Sequence, residues 1–586
     1  MLYQIADYAR QLELDAEPGF APKAARWAIV CSTRGDYLGL VELGDTSLKK
    51  NPGRPFPKAP DLSQPEMKAG GVTKSHFLID TTSVVAGYGK DGEDAKTGEK
   101  RRYFVSLLEQ AASVMPVLGA AANALSREDN LFSLRAALEE RRAAATDKVT
   151  LQIDGEFPVE SAVWYDWWRN FRRGLETNKH GGHKGTSKKM LCFLSGEAVE
   201  PAATHPKIFG LTSVGGLAMG DVLVGFKQES FCSYGLEQSA NAAMSELAAK
   251  AYQAGLNDLI ANHSALLAGT RIVHWFRSRV AAGEDPLDWL TESSDMEELN
   301  AQARARTLLG SIRSGERPDL SSNTYFALTI SSNGGRVVIR DWIEGSFEEL
   351  VSNVNQWFSD LEIVHRDGLG SAKPPKLAAV LAALRRELKD VPAPMSAKLY
   401  RVAVRGEPIP LQAMAQALAR TRIDVIQGEQ PNHARIGLIK AYHVRKQRCE
   451  GGKMQEQLKP DLNVGLKERA YHCGRLMAVL GKLQASALGD VGAGVVSRYY
   501  AAASTTPALV FGRLVRGAQF HLNKIADQKR GLAVWYEQQI GEICGQIGTS
   551  MPTTLSLEDQ SLFALGYYQQ LAALWAGKDK AEKETE

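Results

Sequence analysis

The chain has 586 residues, enough for several hydrophobic cores. Apolar residues make up 44% and charged residues 23%, which excludes a disordered, collagen-like or disulfide-scaffold protein. With 70 basic and 67 acidic residues the net charge is +3, so the chain is no bulk polycation, though local basic patches stay open.

Apolar runs such as Val114–Ala122, broken by Pro116, fall short of the roughly 18 residues a membrane helix needs. The opening MLYQIADYARQLELD is an amphipathic helix pattern with acidic residues and no cleavable apolar core, so a cytoplasmic protein without membrane contact is expected. Cys31, Cys192, Cys232, Cys449, Cys473 and Cys544 lie far apart with no C-x-x-C, and no H-E-x-x-H occurs. Neither a zinc cluster nor any other metal site or cofactor is expected.

In chain order, Trp27–Ser32 and Tyr37–Leu43 predict a hairpin around Thr33–Asp36. The Pro- and Gly-rich stretch Asn51–Gly71 predicts a long irregular loop. His76–Asp80 predicts a strand, Gly89–Lys100 a charged turn, Arg101–Ser113 a helix and Val149–Ile153 a strand before the aromatic run Trp164–Trp168. Asp221–Phe226 predicts a short strand, and a helix begins near Ser245. Tyr325–Ile330 and Arg336–Arg340 flank Asn333-Gly334-Gly335, a hairpin signal, and Ser346 with Glu349 predicts a capping box.

From about Lys376 helical periodicity takes over, with C-terminal helices expected at Glu468–Ala485, Gly494–Ala503, Pro507–Lys524, Gly531–Cys544 and Leu557–Ala576, then a disordered charged tail. The fold class is α+β: a mixed α/β front with hairpins over residues 1–375, a helical connector over 376–453 and an all-α bundle over 454–586.

Several fragments imitate catalytic motifs and fail on spacing. His365-Arg366-Asp367 looks like a kinase loop, but Ala372 stands where the metal-binding Asn belongs and no D-F-G follows. Gly181–Thr186 lacks the Gly-Lys-Ser/Thr ending of a phosphate loop, and Gly492-Ala493-Gly494 has no third glycine. No adjacent His-Asp pair or clustered carboxylates signal a two-metal nuclease. No active site is evident, so no catalytic residue is named.

Two basic segments are candidates for phosphate contact. Arg169, Arg172, Arg173, Lys179, Lys184, Lys188 and Lys189 face one acid, Glu176, beside Trp164, Trp167 and Trp168. The alternative is a solvated loop beside a packed aromatic cluster. Arg435, Lys440, Arg445, Lys446, Arg448 and Lys453 form the second stretch, whose alternative is a linker helix with a solvated side. Gly225–Asn241 differs: it is dense in amides and hydroxyls, which both donate and accept and so suit base edges, or else satisfy the loop's own backbone.

The same segment carries a resemblance. Ser195-Gly196-Glu197, then His205-Pro206-Lys207-Ile208, then Ser233-Tyr234-Gly235-x-Glu237-Gln238-x-x-Asn241, then a helix opening at Ser245-Glu246, resemble in order the large subunit of type I-C CRISPR surveillance (Cascade) complexes. The opening hairpin, His76–Gly87, Gly155-Glu156 and Arg336–Trp342 add to the match, which covers most of the front half. The resemblance implies a non-catalytic subunit of a CRISPR RNA-guided complex with backbone and guide-end subunits. It would recognise a protospacer-adjacent motif on double-stranded target DNA, aid duplex opening, hold the displaced strand and recruit a separate helicase-nuclease.

Carried onto this chain, motif reading falls to Lys74, Ser75 and the adjacent His76, and to Gln228, Gln238 and Asn241. Backbone contact falls to the first basic segment, Lys227, the connector residues Arg435, Lys440 and Arg445, and Arg513, Arg516 and Lys524 in the bundle, where ion pairs with Asp527 and Glu537 are the alternative. His205 and the cysteines are expected to pack.

The resemblance also implies a small helical subunit made from an internal start. Glu450-Gly451-Gly452-Lys453 precedes Met454, and Glu-Gly-Gly can be encoded as a ribosome-binding purine run, whereas the codons before Met414 and Met477 fit less well. The competing readings are a metal-dependent nuclease with an unrecognised site and a purely architectural subunit.

Overall fold

The computed structural model describes residues 1–14, 17–47, 51–63, 66–67, 71–89, 94–177, 189–226, 228–231, 234–281, 283–291, 298–451, 458–489 and 494–583. The front is a mixture of strands and helices and the chain from 376 onward is helical, as the α+β reading expects. The chain divides into two compact units, residues 1–209 with 220–258 and residues 210–219 with 259–586.

The first unit is organised by a sheet with strand order Tyr37–Glu42, Trp27–Cys31, Lys148–Ile153, Asp80–Thr81. Trp27, Ala28, Ile29 and Cys31 are all buried, because a central strand is covered on both faces. Its hairpin with Tyr37–Glu42 is closed by the Ser32 hydroxyl, which accepts the N–H groups of Arg34 and Asp36. Lys148–Ile153 then pairs with Trp27–Cys31 in parallel, and Phe104, Leu107, Leu118, Leu134 and Leu138 from the intervening helices share the sheet's core.

Three local expectations are corrected here. The Pro-rich stretch is no plain loop: Arg54–Pro60 is a strand paired antiparallel with Phe20–Ala25. Proline's fixed φ suits extended chain, and in a two-stranded ribbon each strand keeps an open edge where a missing N–H costs nothing. His76–Asp80 is no strand: Leu78 is left-handed (φ 59°), and only Asp80–Thr81 pairs. Its apolar triplet signals burial instead, since Phe77, Leu78 and Ile79 are all inside. The charged turn at Gly89–Lys100 gives way to a helix, Ala95–Ala111.

In the second unit Ser264–Leu267, Thr270–Phe276, Thr324–Asn333 and Arg336–Ser346 pair antiparallel in succession. Gly334 and Gly335, both with positive φ, make the tight turn that twists with its strands. Helix Phe347–Leu361 follows with Ser346 as N-cap, but the Ser346 side chain makes no capping bond, so the expected capping box is not formed. The helix is held by burial of Phe347, Leu350, Val351, Val354, Trp357, Phe358 and Leu361, the three- and four-residue spacing of one face.

One apolar core runs from Leu267 to Leu574, across the boundaries expected at 375 and 453. The C-terminal helices are Arg469–Leu488, Val495–Ala503, Pro507–Ile547 and Leu557–Lys583. The two helices expected at 507–524 and 531–544 are one run broken at Lys529 (φ −143°, ψ 74°). The last helix continues to Lys583, into the stretch expected as a tail.

Arg469–Leu488 and Leu557–Lys583 lie backbone to backbone, because a Cβ on Gly474 would strike the Phe563 carbonyl and one on Gly566 the Tyr471 carbonyl. Gly474→Ala is therefore expected to destabilise the second unit by about 2 kcal/mol. Calorimetry on the full chain checks this; an unchanged melting transition contradicts the close approach.

Candidate nucleic-acid interface

The aromatic run before the first basic segment is core. Helix Tyr165–Thr177 buries Trp168, which stacks on Phe77 at 5.5 Å and donates its indole N–H to the Gly19 carbonyl (2.7 Å). Arg172, one turn on, is carried inward with it. Its Nε meets Glu66 Oε1 at 2.7 Å and its Nη2 meets Glu246 Oε1 at 3.0 Å, and Glu66 is itself buried. Arg172 is thus an internal tie and not a phosphate contact. Arg173 and Lys189 are exposed, whereas Lys179, Lys184, Lys188, Lys227 and Met454 lie outside the described residues.

Lys74 and Ser75, expected at a DNA-reading surface, are also inside, the Ser75 hydroxyl buried without a hydrogen-bond partner. The loop is pulled in by its apolar neighbours Phe77 to Ile79 and closed by Asp80, whose Oδ2 accepts the His76 N–H at 2.7 Å. Beside it the His76 Nδ1 lies 3.2 Å from Lys23 Nζ, and Lys23 pairs with Asp61 at 3.0 Å.

The amide-rich segment stands out to solvent. The strand before it is only Asp221–Val222, and the helix after it, Glu246–Asn262, begins as expected, with the Ser245 hydroxyl accepting the Ala248 N–H. The lobe beneath is stitched by backbone bonds, Phe193 N–H to Ala243 O (2.7 Å) and Ala202 N–H to Met244 O (2.8 Å). His205 packs: its Nδ1 is 2.9 Å from the Tyr252 hydroxyl, and burial pushes the imidazole down to about 4.

Gln228 and Gln238 are exposed. Asn241 is half-buried and donates its amide to the Gln238 carbonyl at 2.9 Å, so it holds the loop's own backbone. For this residue the alternative reading, an amide that satisfies the loop's own backbone, holds.

Two features escape a reading by residue type. Tyr234 is fully exposed (101%), and Tyr234 (φ 54°) and Gln238 (φ 47°) are both left-handed. Each such residue costs on the order of 1 kcal/mol unless the surroundings hold it, and strain of this kind gathers at functional loops. Gly235, also left-handed at φ 70°, lies between them.

The connector helix His433–Glu450 takes Arg435, Lys440 and Arg445 of the second basic segment inside, while Lys446 and Arg448 stay partly exposed. Every residue from Ala434 to Arg445 is buried. A stretch covered all round has no solvated side, so its charged groups must be paired or shift their pKa. Arg435 pairs with Asp424 and donates to the Ala383 carbonyl. Arg445 Nε meets Asp360 Oδ2 at 2.7 Å, its Nη1 donates to Val402 O, and the guanidinium lies over Trp357. Lys440 is buried too, where desolvation outweighs Asp360 and Glu362 and lowers its pKa to about 8. None of the three is placed to touch a phosphate.

The exposed bases that remain together lie on Pro507–Ile547. Leu509, Arg513, Arg516, Phe520 and Lys524 recur at three- and four-residue steps and are all exposed, while Val510, Phe511, Leu514, Ala518, Leu522 and Ile525 face the core. Among the described residues Arg513, Arg516 and Lys524 have no carboxylate partner within 4.0 Å, so the expected alternative of ion pairs with Asp527 and Glu537 is not realised. At the Lys529 break the stripe runs into a cleft of about 240 Å³ lined by Ser486, Lys524, Gln528 and Lys529. Cations alternating with a bare aromatic ring suit a single strand, whose phosphates and base faces alternate likewise.

Burial of Lys440 carries a pH signature. Between about pH 8 and 10.5 the unfolded lysine holds a proton that the folded one has lost, so folding gains stability as pH rises through that window. Lys440→Met should remove that gain and melt about 3 °C or more above wild type at pH 7. A variant that melts lower across the range contradicts the burial argument.

Among the described residues no helix is long and apolar enough to cross a membrane. No curated protein matches the chain. A family model described as CRISPR-associated protein (Cas_Csd1) matches residues 2–575, which takes in the amide-rich lobe, the buried connector helix and the exposed helix stripe alike. With nearly its whole length inside that match, the chain belongs to the Cas_Csd1 family of CRISPR-associated proteins.

Proposed function

We propose that this chain is the non-catalytic large subunit of a type I-C RNA-guided surveillance complex. Guide pairing reads the target, and this subunit reads the short flanking motif on duplex DNA, aids opening and recruits a helicase-nuclease. The observation that carries the reading is the amide loop: Gln228, Tyr234 and Gln238 exposed on a lobe whose helix is tied through Glu246 to buried Arg172.

Motif reading rests on Gln228 and Gln238, since Lys74 and Ser75 are inside and Asn241 braces the loop. The Arg513–Lys524 stripe takes the displaced strand. Residues 454–586 are also released from an internal start at Met454 as the small subunit; within them Gly474 and Gly566 let two helices pack backbone to backbone. Recoding the Glu450–Gly452 codons without changing the protein should abolish that product.

The test uses the guide-loaded complex. Gln228→Ala with Gln238→Ala should lower discrimination between target flanks at least tenfold, about 1–3 kcal/mol per amide–base hydrogen-bond pair, with little change in non-specific binding. Arg513→Ala with Arg516→Ala should weaken all targets alike and reduce the salt slope by roughly one unit for each phosphate no longer neutralised. Unchanged flank preference in the first variant reduces the subunit to architecture. Metal-dependent DNA cleavage by the purified chain would favour the nuclease reading instead.

A further inference from the structure

The fold of the second unit assembles three groups the sequence keeps apart. Strand Thr270–Phe276 buries His274, whose backbone N–H is fixed on the His263 carbonyl (3.1 Å). Its Nε2 lies 2.7 Å from Asp285 Oδ2 and 3.8 Å from Asp288 Oδ1. One donor atom from each residue lies within 4.8 Å of the other two. Asp285 is oriented for this: its Oδ1 accepts the Leu287 N–H at 2.8 Å, which turns Oδ2 to the imidazole. Helix Pro286–Thr291 then brings Asp288, three residues on, to the same side.

Two further observations distinguish this cluster from an ordinary ion pair. Two carboxylates face one imidazole, and nearby arginines are committed elsewhere: Arg317 to Glu284 and Asp319, Arg401 to Asp341 and Glu407. The Tyr400 hydroxyl, on a fully buried side chain, has no hydrogen-bond partner and lies in the field of Asp285, Asp341 and Asp288. A buried orphan hydroxyl is destabilising, and a hydration water on a bound ion is one group that relieves it.

We propose that His274, Asp285 and Asp288 bind one divalent cation of the Mn²⁺ or Zn²⁺ class, which pins the strand Thr270–Phe276 to the helix Pro286–Thr291. One imidazole and two carboxylates form a donor set both ions accept, and small side-chain shifts from the present spacing give the contacts of about 2.1 Å they require. Three protein ligands leave positions for water, with Tyr400 as an outer hydrogen-bonding group. The sequence offers no signature for this site, because ten residues separate His274 from Asp285.

The test is titration of the EDTA-treated, desalted full-length chain with Mn²⁺, following free ion by electron paramagnetic resonance. One saturable ion per chain is expected, displaced by Zn²⁺, with a rise in melting temperature on binding. Asp288→Asn, at a half-exposed position that leaves the core intact, should weaken binding at least tenfold and remove the thermal shift; His274→Gln should do the same. Glu316→Gln, an exposed acid outside the cluster, should change neither. Absence of a saturable ion, or equal binding by Asp288→Asn, overturns the proposal and leaves the cluster as an ion pair.

Discussion

A cation taken out of water has to be met by an anion, and in this chain that constraint decides which basic residues remain for a partner. Arg172 between Glu66 and Glu246, Arg435 against Asp424 and Arg445 against Asp360 are all internal. Removing one member of such a pair leaves the other charge buried and costs about 3–5 kcal/mol, so these residues serve the fold first. Of the two segments that look most basic in the sequence, Arg172, Arg435, Lys440 and Arg445 are therefore withdrawn from the surface, while Arg173 and Lys189 stay exposed.

The same pairing positions what is left. Arg172 joins the turn at Glu66, the aromatic helix and the first turn of Glu246–Asn262, and that helix begins where the amide loop ends. The exposed Gln228, Tyr234 and Gln238 are carried by a lobe whose base is hydrogen-bonded although its tip holds left-handed residues. At the other end of the chain, burial of one face of Pro507–Ile547 leaves Arg513, Arg516, Phe520 and Lys524 in a row outside. Exposed amides suit reading, and a charged aromatic stripe suits holding.

Period and turn chemistry made much of the fold legible. The hairpins at Ser32–Asp36 and Gly334-Gly335 and the helical back were readable because Gly placement and three- or four-residue apolar spacing are local signals. The ribbon at Arg54–Pro60 was not, because its partner is Phe20–Ala25, far back in sequence, and its prolines argue for loop. Arg435 and Arg445 misled because charge implies exposure only until a partner is known, and Asp360 and Asp424 lie outside the basic segment they neutralise; Lys74 and Lys440 are drawn in with the apolar residues beside them. Gln228 and Gln238 were found by residue type, whereas Tyr234 is marked by conformation and exposure, which only the structure supplies.

The central claim is that this chain supplies flank recognition to a guide-loaded complex. The most direct measurement is duplex binding by that complex to a library randomised beside the target, with and without the chain. The account predicts flank-dependent binding only when the chain is present. A flank preference that survives its removal would contradict it.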